Sequence, residues 1–184
     1  MMPVLIHING TPKAQPRGRH GRNGVVSTVG PAALWKIAVE RAALAITADE
    51  WLILDAMRGR PVAVDHVFWF HTRHASRHGK LHTHKPDRDN LDKLILDALS
   101  PRRRGQKLSE FINRELGRNG VIPGDDCVIA DGRITKAWSA AAGVTTTIRD
   151  PMMEEPLPLS DILGFPRAVD DDLGAFNPGG SNPT

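Results

Sequence analysis

The stretch from Val62 to Phe70 leaves no face for water. Val62, Val64, His66, Phe68 and Phe70 alternate with Ala63, Asp65, Val67 and Trp69, so both phases of a period-two pattern are largely apolar. A strand on a half-wet sheet shows polar residues at every second position, and one that lacks them belongs in the centre with both faces covered. The neighbouring patterns supply its partners. Val4 to Ile8 alternates and stops at Asn9-Gly10, a strand and turn, while Val128–Trp138 and Val144–Ile148 read as two strands joined around residues 139–143. Pro31 fits the first turn of a helix running through Leu34, Ile37, Ala38, Ala42 and Ala45. Thr47 and Glu50 form a capping-box pattern ahead of Trp51, Leu52 and Leu54, which predicts a second helix to about Arg58.

The sharpest periodicity follows Asp87. Leu91, Leu94, Ile95, Ala98 and Leu99 fall on one helical stripe, which Pro101 terminates. Arg102, Arg103 and Arg104 lead into a short amphipathic candidate helix, Leu108, Phe111, Ile112 and Leu116, that Gly117 can cap. The fold class is therefore α/β in the α+β sense, a small mixed sheet of about four to five strands with helices packed on it. There is no internal repeat.

The chain has 184 residues, enough for one core, and a formal charge of +3. That charge is unevenly spread. Residues 150–184 hold seven acids against Arg167 alone, a charge of −6, which leaves +9 on residues 1–149. We divide the chain there, into a folded domain over 1–149 and an acidic, Pro- and Gly-rich tail over 150–184 that reads as disordered. A basic body suits a polyanion, because each phosphate contact releases condensed counterions. Cys127 is the only cysteine, which excludes an intrachain disulfide and a cysteine-based zinc site. The opening MMPVLIHING is too short and too soon polar for a signal peptide, and no stretch approaches the roughly 20 apolar residues of a membrane span. The expectation is a soluble cytoplasmic protein without a membrane partner.

Chemistry concentrates in Lys85–Leu99, KPDRDNLDKLILDAL. Asp87 and Asp89 stand where a loop enters the helix, and residues two apart in an extended segment project to one side. Lys93 and Asp97 continue at four-residue steps from Asp89, on one helical face. Helix capping accounts for one acid here, since Asp is a favoured N-cap, but Asp87, Asp89 and Asp92 fall within six residues. A second acidic pair, Asp125-Asp126, precedes Val128; its ordinary meaning is a turn. Magnesium takes oxygen ligands and keeps several waters, so two or three carboxylates suffice to hold it. Such ions can activate water against a phosphodiester, and a nearby lysine can stabilise the charge that develops.

These residues resemble the RusA-type Holliday junction resolvases, whose pattern is PDxDNLxK…DAL…DD. Here it reads Pro86-Asp87-Arg88-Asp89-Asn90-Leu91-Asp92-Lys93, Asp97-Ala98-Leu99 and Asp125-Asp126. Pro12-Lys13, Pro16-Arg17 and Trp35 also resemble the family's N-terminal region, so the similarity spans about residues 3–148. The resemblance implies a homodimer that makes paired symmetric nicks in a four-way DNA junction, using Mg2+ with Mn2+ able to substitute. It implies Asp87, Asp89 and Asp126 as metal ligands and catalytic residues, Lys93 as the catalytic lysine, and Asp97 and Asp125 in supporting roles. Small resolvases of this kind are frequent in phages, which would place the chain in a bacterial host's cytoplasm. The connection between Leu99 and Asp125 is longer than usual for the family, an insertion over about residues 101–120.

Next to such a motif, the exposed cations Lys13, Arg17, Arg19, Arg22, Arg73, Arg77, Lys85, Arg88, Arg102, Arg103 and Arg104 are candidate DNA contacts. His71, His74, His78, His82 and His84 lack a four-ligand zinc pattern and read as part of that basic surface, gaining charge as pH falls. Trp35, Trp51 and Trp69 read as core, and Cys127 as a small buried residue. Two other functions fit the same residues: a nuclease for flaps or forks, and a DNA-binding accessory protein without activity.

Overall fold

Strand β2, Val62–His71, has strands on both sides and is buried from Val62 to Phe70, as its two apolar phases require. The computed structural model describes residues 2–15, 30–100, 120–122 and 126–152. Expectations for Arg17, Arg19, Arg22, Arg102–Arg104, the candidate helix over 108–116, Asp125 and most of the acidic tail lie outside the described residues. Of Asp126 only the backbone is described.

β1 (Val4–Asn9) pairs antiparallel with β5 (Gly143–Arg149), and β5 pairs antiparallel with β2. On its other side β2 carries two parallel partners in succession, β3 (Ile129–Asp131) at Val62–Ala63 and β4 (Ile134–Ser139) at His66–His71. The sheet is thus mixed and five-stranded, in the order β1-β5-β2-β3 with β4 also on β2. The chain passes from β4 to β5 across the end of β2, where His71 Nδ1 donates to the Ala140 carbonyl at 2.8 Å.

A single strand over Val128–Trp138 is corrected here: a 3-10 turn at Asp126–Val128 is followed by two strands. The pairing slips between Val62 and Ala63, a bulge. At Gly132 the backbone runs so close to the Val64 carbonyl that a Cβ would collide with it, and Arg133 N donates to the Asp65 side chain at 2.8 Å.

Among the described residues three helices form, and the residues they bury join one apolar cluster with one sheet face. α1 (Pro31–Ala43) has proline in its first turn. α2 (Ala48–Ala56) carries the expected capping box, with Glu50 N donating to Thr47 Oγ1 at 3.3 Å and Thr47 N to Glu50 Oε2 at 2.8 Å. α3 (Arg88–Leu99) buries Leu91, Leu94, Ile95, Ala98 and Leu99. These meet Val4, Ile6 and Ile8 of β1, Val64, Phe68 and Phe70 of β2, and Val144 and Ile148 of β5. Each fully buried Leu or Ile contributes about 1.5–3 kcal/mol. On α1 the buried face is Ala32, Trp35, Val39 and Ala43, so Leu34, expected on the stripe, is 70% exposed. The Trp35 ring lies against Gly10, where a Cβ would come within 3.1 Å of it.

The other phase of β2 and β5 is buried and partly polar. Arg149 Nε donates to Asp65 Oδ2 at 2.8 Å, and Arg149 also reaches Asp131 at 3.3 Å. The hydrogen bond it donates to Asp65 raises the Arg149 pKa above its ordinary value, against the effect of burial. Among the described residues no helix is long and apolar enough to cross a membrane.

Candidate functional site

α3 begins without help from the acid at its end. Asp87 occupies the N-cap position in an extended conformation (φ −68°, ψ 144°), its carbonyl accepts from Leu91 N at 3.2 Å, yet its carboxylate caps nothing. Asp89 follows in the first turn, and both side chains are exposed, with no hydrogen bond or ion pair to a described residue. Capping therefore does not explain Asp87. The helix dipole still favours both charges at this end.

Asp92 behaves differently. It turns toward the sheet, where its Oδ1 lies 3.2 Å from Nε2 of the fully buried His66, whose Nδ1 is 3.0 Å from Thr146 Oγ1. The Nε2–Oδ1 contact is off the hydrogen-bond line, which leaves the buried Nε2 without a hydrogen-bond partner. Asp92 and Leu96 also line a groove of about 190 Å³ whose other wall is Ile129–Gly132 and Ile134. The backbone of Asp126 leads into that wall through its 3-10 turn. Lys93 and Asp97 are exposed on α3, at the spacing expected from Asp89.

Among the described residues no group of three or more His, Cys, Asp or Glu side chains could hold a metal. Asp87 and Asp89 are two hard oxygen donors left open to solvent, a set that suits a divalent ion which keeps several waters. The third expected ligand, Asp126, has its side chain outside the description.

The sequence reading missed Lys136. On β4 its neighbours Ile134 and Trp138 share its phase and pack toward the core. From there Lys136 Nζ donates to the carbonyls of His84 at 2.6 Å and Pro86 at 2.8 Å, directly before Asp87. Burial lowers its pKa and the Asp87 charge partly offsets that. The signal was available: a charged residue in the inward phase of a strand.

The same segment lies along β4. Gly79 N donates to Trp138 O, Trp138 N to Lys80 O and His82 N to Lys136 O, with Leu81 bridging Ala137 antiparallel. His82 corrects the basic-surface expectation for the histidines. It is 6% exposed, stacked on Phe70 (ring centroids 4.1 Å) and tilted against Trp138 (4.2 Å). Burial, and next the Lys136 charge, lower its pKa, so it resists protonation. His71, His74 and His84 are exposed. Cys127 is exposed too, against the expectation of a buried thiol.

Lys13, Arg73, Arg77, Lys85 and Arg88 are exposed and unpaired with any described acid. Gln15 N donates to Asn90 O at 2.8 Å, which ties the segment carrying Lys13 to the first turn of α3. A scan against protein-family models finds no match, and neither does a search of curated proteins.

Proposed function

We propose that this chain is a Mg2+-dependent endodeoxyribonuclease for branched DNA, acting on four-way junctions as the RusA-type resolvases it resembles do. The observation that carries the reading is the state of Asp87: a carboxylate at a helix start that does no capping, with Asp89 beside it equally open. An acid kept there without a structural task is available to a ligand.

Asp87 and Asp89, with Asp126, would hold the ion. When bound, it supplies an activated water and charge neutralisation at the scissile phosphate. Lys93, one turn beyond Asp89, offers a positive charge to the developing transition state. Lys13, Lys85 and Arg88 flank the start of α3 and hold the phosphate backbone, which positions the strand without reading its sequence. A homodimer follows from the substrate, since two equivalent cleavage points call for two equivalent sites.

The test is a synthetic four-way junction incubated with Mg2+ or Mn2+, with flaps, forks and plain duplex alongside. Paired, symmetric nicks in the junction are expected. Nicking of flaps or forks alone would replace junctions as the substrate, and no metal-dependent cleavage of any of these would overturn the reading.

A further inference from the structure

Asp87 stands at the end of the connection from β2 to α3, in which Pro86 is the only proline. The residues around it are exposed: His84, Lys85, Asp87, Arg88 and Asp89. A metal ligand on a loose loop loses affinity, because its geometry has to be fixed anew on each binding event.

We infer that Lys136 is a positioning residue for Asp87, fixing the backbone on which that carboxylate stands by binding the His84 and Pro86 carbonyls from β4. The inference rests on the metal-site reading above. A lysine on a solvated strand face extends into water; this one is half-buried, between Ile134 and Trp138 in phase, and spends two of its three donors on consecutive points of one neighbouring segment. The Asp87 charge partly offsets the cost of burying the ammonium. β4 itself is rigidly placed, because His66 to His71 pair with it residue by residue. Lys136 thus transmits the position of the central sheet to the start of α3. It touches neither substrate nor metal.

Lys136 can be exchanged chemically. Cys127 is the only native thiol, so Cys127→Ser provides a background in which Lys136→Cys can be alkylated alone. Bromoethylamine rebuilds a lysine-like chain with its charge and donors; bromopropane rebuilds the length without them. The readouts are the Kd for Mn2+ and amide hydrogen exchange over residues 84–89, with Lys136→Met as a second variant that needs no alkylation. Loss of the amine should weaken Mn2+ binding about tenfold or more and speed exchange. Aminoethylation should restore both, and propylation neither. Unchanged or tighter Mn2+ binding in Lys136→Met would overturn the inference, and so would equal rescue by the propyl group, which would reduce Lys136 to packing. If the native chain binds no Mn2+, the metal-site reading fails and takes this inference with it.

Discussion

Asp65 and Asp87 are the same residue type in opposite circumstances. Asp65 is 5% exposed, and both its oxygens are taken, one by Arg133 N and one by Arg149 Nε. The Asp87 carboxylate stands in solvent and accepts nothing from a described residue, although it sits where a capping bond would be easiest to make. Burial sets the difference. A carboxylate removed from water has to be matched by donors or the fold loses several kcal/mol, whereas one left in water is held by water and stays free for an incoming cation. On the function proposed above, stability and chemistry fall to different acids in the same small domain.

The contrast is most exposed to attack at Asp65. Asp65→Ala leaves the buried Arg149 guanidinium with only the peripheral Asp131, and we expect a loss of about 3–5 kcal/mol in urea unfolding. A loss under about 1 kcal/mol would show that the pair is no structural anchor. Asp87→Asn and Asp89→Asn should do the reverse. Junction cleavage should fall about a hundredfold or more, about 2.7 kcal/mol in the barrier, while stability shifts by no more than about 0.5 kcal/mol and junction binding persists. A destabilisation of about 1 kcal/mol in Asp87→Asn would instead mark that carboxylate as a cap.

The smallest effect concerns His82, buried against Phe70 and Trp138. Its folded pKa is depressed, so the unfolded chain takes up a proton near the ordinary value of about 6.5 while the folded one does not. Stability should therefore be full above that pH and decline as pH falls below it. His82→Phe should flatten this part of the pH–stability curve, measured by urea unfolding; parallel curves for the two proteins would remove His82 from the acid response.

What the sequence disclosed follows the range of the interactions involved. The α3 stripe, the Thr47–Glu50 capping box and the doubly buried β2 are local patterns, and each formed as expected. The break between β3 and β4 depends on Gly132 meeting Val64 across the sheet, which no period-two pattern announces. On α1 it is Trp35 and not Leu34 that is buried, and its ring lies against Gly10, distant in sequence. At the site, Asp87 and Asp89 were legible as an excess of acid over what capping needs. His82 was not, because a loop has no periodicity from which burial could be inferred. Lys136 was half legible: its inward phase could be read, but its partners lie across 50 residues of chain.

The residues that lie along β4 have a consequence for assembly. Gly79–His82 satisfy the outer backbone groups of that strand at Lys136 and Trp138. An open strand edge is a template on which a second chain can add by backbone pairing, and such edges promote fibres and swapped oligomers. Here that template is already used by the molecule's own loop. A second copy therefore cannot extend the sheet by backbone pairing with β4 at Lys136 and Trp138. The loop that delivers Asp87 therefore also decides which way this protein cannot polymerise.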